Sequence, residues 1–385
     1  MHVLFLPKWY PGRKDPQLGD FLRKQAMATA AFVRMSVVHV ESYAAGEHVA
    51  REQLSETDGL WELVLRYPAN TSQWTAYRKA VNAVRYWMAA TRGWHRVVQE
   101  RGRPDLIHAY ILVRPVLFAR WIRFRHRTPY LISEQSSEYL DGTFAAKSAL
   151  FKFINRRSFR KASAITAVSN WLGDQLVRLD LCARYDVVPN VVPGLDRPLP
   201  PPGTPGDLLM VADLVDKTKN VSGVLRALHA ARTAEPRLRL TIIGDGTDRR
   251  MLVELAKELE LGDRVRFLGR MPNAEVLDHM GRTFAVIVNS NVETFSVVTG
   301  EALAQGKPVI ATRCGGPIAF IKPVNGMLIG PGDDTALADA MIDLTRNAGR
   351  YDPAAIRNSV ASDFSPAAVG SAFHAIYERI LTHGN

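Results

Sequence analysis

Residues 284–312 read FAVIVNSNVETFSVVTGEALAQGKPVIAT. An apolar run ends in the polar pair Asn289-Ser290, a loop turns through NVETF, a helix of small and apolar residues starts near Ser296, and KPVIAT resumes an extended pattern. Strand, loop, helix and strand in this order form the unit from which parallel sheets are wound. Two carboxylates, Glu293 and Glu301, stand in this otherwise apolar stretch, and a half-buried carboxylate is costly unless something pairs with it. The N–H groups of the first helical turn lack helical partners and make a ready anion site, suited to phosphate. An acid beside a phosphate repels it, so the two glutamates are expected to bind another part of the same ligand. A carboxylate accepts paired hydroxyls well, from a ribose or a hexose. The ligand implied is sugar–diphosphate–ribose, a nucleotide sugar.

Working outward, the same alternation fills the second half: strands at DLLMVADL, LRLTIIGDG and RVRFLG, with helices between them at VSGVLRALHAAR, DRRMLVELAKELEL and NAEVLDHMGR. The first half repeats it, with strands at HVLFL, MSVVHV, DLIHAY, PYLIS and AITAVS. Between the halves, residues 189–207 (PNVVPGLDRPLPPPGTPGD) hold seven prolines and three glycines, a density no helix or central strand survives. The expected organisation is a Rossmann-like domain over 1–190, a Pro-rich linker over 191–206, a second Rossmann-like domain over 207–365, and a C-terminal helix over 366–385. A chain of 385 residues suits two cores better than one. Ligands in such sheets bind at the carboxyl ends of the strands, so a central cleft between two doubly wound α/β domains is expected.

Two cysteines, Cys182 and Cys314, are too few for a disulfide framework or a zinc site and fit a reducing compartment. MHVLFLPKWYPG reads as a strand and not a leader, and no apolar run approaches the ~20 residues of a membrane span. A cytoplasmic protein is expected, peripheral on the membrane face if its charge is used there. That charge is lopsided: residues 1–190 hold 28 Lys and Arg against 16 Asp and Glu, residues 191–385 hold 21 against 22, and residues 71–161 alone hold 18 against 5. Such a field attracts an anionic surface. In AYRKAVNAVRYWMAATRGWHRVV, apolar residues recur at helical spacing (Tyr77, Val81, Val84, Trp87, Met88, Trp94, Val98) with arginines and lysines between. Two readings stay open: a helix burying that face in a core, or a surface resting on anionic lipid. Nucleic acid is disfavoured, since no nucleic-acid module accompanies the charge.

Several segments in order resemble the retaining glycosyltransferases of family 4, which have the GT-B fold. They are WYP…LGDF, DLIHAY, SEQSSEY, AITAVSNWL, VVPNVV, IIGDGTDRRML, VRFLGRMPNAEV, ETFSVVTGEALAQGKPVIAT with RCGGP after it, and NGMLI. The resemblance also implies that the C-terminal helix over 366–385 crosses back to the first domain. It spans most of the chain and implies transfer of a sugar from a UDP- or GDP-linked donor to a glycan or lipid-linked acceptor, in polysaccharide or glycolipid synthesis. It implies roles for Glu301 on the donor ribose, Glu293 beside the donor sugar, and Phe295, Ser296, Val297 and Val298 against the sugar or diphosphate. Lys219 would neutralise the diphosphate, Gly19 would let a first-domain loop approach it, and Arg270 and Met271 would border the base. His108 would face the cleft as a catalytic residue, with Tyr110, Gln135 and Ser136 on the acceptor side.

The chain also departs from the family. The pair expected to be Gly-Arg is Ala212-Asp213, so an arginine on the diphosphate is missing, and Lys217 is the candidate to replace it. Tyr110 and Gln135 stand where family members often have histidine. The implied reaction retains anomeric configuration, with the leaving phosphate taking the acceptor's proton. No Asp-x-Asp motif occurs, so no metal and no cofactor are expected. A nucleotide-sugar epimerase or hydrolase, and a degenerate nucleotide- or glycan-binding subunit, are the alternatives.

Overall fold

The computed structural model describes residues 1–383 apart from Lys14, Ala45 and Leu112, and for His383 the backbone alone. The chain forms two compact units, Met1–Val191 with Pro366 onward, and Val192–Ser365.

The first unit runs β1 (His2–Pro7), α1 (Asp20–Ala30), β2 (Arg34–Tyr43), β3 (Glu52–Thr57), β4 (Leu60–Pro68), α2 (Thr75–Arg101), β5 (Leu106–Tyr110), α3 (Arg114–His126), β6 (Tyr130–Glu134), α4 (Ala149–Lys161), β7 (Ala164–Ala167), α5 (Asn170–Arg178) and β8 (Asp186–Val187). Its sheet has the order β3-β4-β2-β1-β5-β6-β7-β8. Every residue of β1 and β5 is buried, as a strand covered by helices on both faces must be. One pairing breaks the parallel rule. β3 returns antiparallel on β4 around Asp58-Gly59, both at positive φ (50° and 79°), the Asp-Gly hairpin turn. The alternating pattern that suggested a wholly parallel sheet missed this edge hairpin.

The second unit runs β9 (Asp207–Val211), α6 (Asp216–Lys219), α7 (Val221–Ala231), β10 (Arg239–Ile243), α8 (Arg249–Glu258), β11 (Val265–Gly269), α9 (Asn273–Arg282), β12 (Ala285–Val288), α10 (Val297–Ala304), β13 (Val309–Thr312), β14 (Gly326–Ile329), α11 (Asp334–Arg346) and α12 (Pro353–Phe364). Its strands are all parallel in the order β11-β10-β9-β12-β13-β14. This is the doubly wound order in which the winding reverses between the first and fourth strands, here β9 and β12. A crevice opens at that reversal, beyond the carboxyl ends of the two strands.

The proline-rich stretch is not a free connection. It lies along the second unit, where Lys307 Nζ donates to Pro201 O (2.8 Å) and Arg357 Nη1 to Arg197 O (2.8 Å). Gln305 Nε2 also donates to Gly194 O, at 3.3 Å. Lys307 is almost fully buried, and that burial pushes its ammonium down to about 8. The last helix, α13 (Pro366–His383), packs on α1 and sends Val369, Phe373 and Tyr377 into the first unit's core.

Candidate active site

The loops after β9 and β12 meet at the winding reversal of the second unit. Asn291 ties them twice, its N–H donating to Thr218 O (2.8 Å) and its Nδ2 to Lys217 O (2.9 Å). Asn289 Nδ2 adds a bond to Asn220 O at 3.0 Å. Asp216 fixes the turn from α6 into α7 by accepting from Ser222 N (2.8 Å) and Ser222 Oγ (2.6 Å). So held, Lys219 points at the other loop and its Nζ lies 2.6 Å from Glu293 Oε1. Ser290 Oγ donates to the same oxygen at 2.8 Å. Burial alone would lower the Lys219 pKa, but the facing Glu293 carboxylate outweighs it and the net shift is upward. The ammonium is therefore a permanent cation at neutral pH.

The Glu293 loop is clamped from behind by the glycine pair of RCGGP. Glu293 N–H donates to Cys314 O (3.0 Å) and Gly316 N–H to Glu293 O (2.9 Å). A Cβ on Gly316 would come within 2.3 Å of the Phe295 carbonyl carbon, so only glycine lets the two backbones lie this close. Phe295 is buried against Phe320 and Phe364, which pins the loop where it enters α10. Ser296 then takes a left-handed conformation (φ 71°, ψ 74°), uncommon for a residue with a side chain and costly unless its surroundings enforce it. Its Oγ lies 2.8 Å from Thr299 Oγ1. The loop enters α10 at a fixed angle, with the half-buried Val297 and Val298 in the first turn.

Glu301 sits mid-helix among Thr299, Gly300, Ala302, Leu303 and Ala304, all buried, and is itself 3 % exposed. Its Oε1 accepts from Asn273 Nδ2 at 2.7 Å. Asn273 opens α9 in MPNAEV, two residues after Met271, and the sequence reading passed over it. A polar residue beginning a helix, beside a segment already assigned to the donor, was the available signal. Arg270 leaves the end of β11 and its Nη2 lies 3.3 Å from Asp213 Oδ1. Lys217 is exposed on α6. Lys219, Glu293 and the start of α10 are thus brought together, and Glu301 stands about one turn along the same helix, held from α9.

The first-unit residues fare differently. His108 was expected to face a cleft, but it is fully buried in mid-β5. Its Nδ1 meets Tyr377 Oη and its Nε2 meets Ser133 Oγ, each at 2.6 Å. Burial holds its pKa well below 6.5, so it is neutral and enclosed. The reason is the covering helix α13, which carries Tyr377 and Phe373 onto the histidine ring. Tyr110 is likewise fully buried, stacked on His108 with ring centres 4.2 Å apart, and presents nothing to an acceptor. Gln135 Nε2 donates to Gln25 Oε1 (3.1 Å), and Ser136 caps the short turn that follows, accepting from Glu138 N. Both backbone N–H groups, of Gln135 and Ser136, donate to one oxygen of Glu134, at 2.9 and 3.0 Å. Gly19 begins α1 at φ 71°, and a Cβ there would strike the Trp9 backbone at 2.5 Å. A structural need alone accounts for that glycine.

Two family models together match most of the chain: "Glycosyl transferase 4-like domain" over residues 20–191 and "Glycosyl transferases group 1" over residues 195–359. The chain belongs to the family 4 glycosyltransferases. Among curated relatives, this glycosyltransferase is 25 % identical to a glycogen synthase of Mycobacterium tuberculosis over 285 residues, 71 % of this chain and 69 % of that one. It is 33 % identical over 172 residues to an N-acetyl-alpha-D-glucosaminyl L-malate synthase of Bacillus anthracis, 43 % of each chain. Among solved structures, a sucrose-phosphate synthase of Thermosynechococcus elongatus superposes with a TM-score of 0.79 at 17 % identity, over 99 % of this glycosyltransferase and 100 % of that chain. The Anabaena protein HepE in complex with UDP does so with a TM-score of 0.71 at 18 % identity, over 98 % and 100 %. The neighbours are GT-B glycosyltransferases, and two parallel-sheet α/β domains of that class are the fold.

Proposed function

We propose that this glycosyltransferase moves a hexose from a UDP-linked donor to a glycan or lipid-linked acceptor, with retention of configuration and without a metal ion. The carrying observation is the Lys219–Glu293 pair at the winding reversal, directly before the N-terminus of α10. Lys219 and the first-turn N–H groups meet the diphosphate, where negative charge builds as the leaving group departs. Glu301, kept in an apolar helix by Asn273, accepts the ribose hydroxyls. The bond from the anomeric carbon to the acceptor oxygen forms on the face from which the phosphate oxygen leaves. The departing phosphate takes the acceptor's proton, so no separate general base is needed. The choice of UDP draws on HepE, whose solved complexes hold UDP and UDP-glucose. The test is thermal stabilisation by UDP, GDP, ADP and dTDP on wild type and Glu301→Gln. At one hundred times Kd a ligand adds about 2.7 kcal/mol. UDP is expected to stabilise the wild type and to lose that effect in the variant. Stabilisation by none of the four would sink the donor assignment.

The acceptor side of this reading includes an anionic membrane surface. α2, α3 and α4 form one layer: Trp87 packs edge-on to Phe118 and Trp121, and Arg120 Nη1 donates to Ser158 Oγ at 3.1 Å. These helices carry fifteen Lys and Arg and a single acid, Glu100. The stripe on α2 divides. Trp94 is buried, but Tyr77, Val84 and Met88 are exposed at i, i+7 and i+11, with Trp74 80 % exposed just before them. Leu150 and Phe153 at the start of α4 are exposed as well. Arg92, Arg96, Arg101 and Arg160 pair with nearby acids, and apolar side chains among the remaining excess of cations suit a bilayer with acidic headgroups. Among the described residues no helix is long and apolar enough to cross one. Co-sedimentation with vesicles of phosphatidylcholine and phosphatidylglycerol is expected at low salt. It should fall at least about tenfold in the Trp74→Ser, Tyr77→Ser, Met88→Ser triple variant, whose UDP binding stays intact. Equal sedimentation with vesicles of phosphatidylcholine alone would count against the surface.

A further inference from the structure

The sequence left Lys217 as the replacement for a missing diphosphate arginine, and the geometry of α6 argues otherwise. Lys217 and Lys219 are two residues apart on one helical turn, about 200° around its axis, so they cannot address the same anion. Lys219 is the one turned to Glu293. Arg270, by contrast, reaches from the end of β11 across the end of β10 to Asp213 beyond β9. The field of Asp213 also reaches Lys219 and helps hold its proton. Along this rim the charges alternate: Arg270, Asp213, Lys219, Glu293.

We propose that Arg270, steered by Asp213, is the second cation on the donor diphosphate, reaching it from β11 where the family arginine would come from β9. The assignment rests on the nucleotide-sugar reading above. A guanidinium presents a planar fork that can engage two phosphate oxygens at once, which an ammonium cannot. The Arg270 and Asp213 side chains are 54 % and 71 % exposed, and an exposed pair of this kind is weakly held. The fork can therefore exchange a carboxylate for an arriving phosphate, while Asp213 keeps it on the rim beforehand. Asp213 is a positioning residue, and its position explains how an acid is tolerated where an arginine was expected.

Calorimetric titration of the full chain with UDP and with uridine tests this. Arg270→Ala is expected to weaken UDP about tenfold to a hundredfold and to leave uridine unchanged, because the loss is of a charge-assisted bond to phosphate. The charge reversal Arg270→Asp should lose at least as much. Adding Asp213→Arg should recover much of it, since an arginine then rises from the β9 side. Wild-type affinity for UDP in Arg270→Ala overturns the assignment, as does an equal loss for UDP and uridine, which would mark a base contact. Loss in Lys217→Ala with none in Arg270→Ala overturns it in favour of the lysine. A wild type that binds no nucleoside diphosphate overturns the donor reading itself, and this assignment with it.

Discussion

Lys219→Met is expected to lower kcat/KM for the donor sugar by about two to three orders of magnitude while melting within a few degrees of wild type. Removing one preorganised charge from a developing oxyanion costs about 10²–10³ in rate. The stability effect is small because Lys219 and Glu293 keep some exposure, 25 % and 16 %, and a partly solvated ion pair contributes about 1 kcal/mol or less. On the donor placement proposed above, the variant would leave Glu293 as an unneutralised acid close to the diphosphate. Adding Glu293→Gln should therefore restore part of the lost UDP affinity, though not turnover, so the double variant will bind better than the sum of the singles requires. Additive losses in affinity, or turnover within fivefold of wild type in Lys219→Met, would show that this pair does not face the diphosphate.

The second large effect concerns Glu134, fully buried at the end of β6. Burial pushes its carboxyl up to about 7, against the pull of the Gln135 and Ser136 N–H groups. A carboxyl whose folded pKa lies above its unfolded value of about 4.5 favours folding when protonated. That contribution is complete below pH ~4.5, falls as the pH rises, and is gone above about 7. The shift corresponds to about 3 kcal/mol across that window. Glu134→Gln cannot ionise and can still accept both N–H bonds through its carbonyl oxygen. Urea unfolding of the two proteins from pH 5 to 8 should show the variant gaining on wild type as pH rises, most of the gain arriving by pH 7.5. Parallel stability curves would mean that Glu134 enters the folded state already ionised.

How much of this was readable beforehand follows from the distance over which each feature is decided. The second unit was legible because its strands are short apolar runs, and both acids of the candidate site lie in one segment, 284–312, while their partners Lys219 and Asn273 come from elsewhere in the chain. The Glu301–Asn273 bond spans only 28 residues and could have been suspected. His108 could not be placed, because the group that encloses it, Tyr377, lies 269 residues away on a helix that was expected on the first domain with nothing to name the side chains it would cover. The α2 stripe had the right period, but periodicity identifies a face and not what covers it. Trp94 is buried beside His126 of α3, while Tyr77 and Met88 found nothing within the described residues to bury them. The β3–β4 hairpin was legible in its Asp-Gly turn and was overlooked because the surrounding alternation favoured helices between strands.

The anchoring of the proline-rich segment decides where this molecule can be recombined. Its Pro201 and Arg197 carbonyls are held by Lys307 and Arg357, and α13 belongs to the opposite unit from the residues just before it. Exchange of the first unit for that of a relative would therefore need two joints, at 191/192 and 365/366, with the terminal helix travelling alongside the amino-terminal sheet. A single cut at residue 207, where the second run of strands begins, would strand a buried ammonium without its carbonyl and leave His108 without its lid.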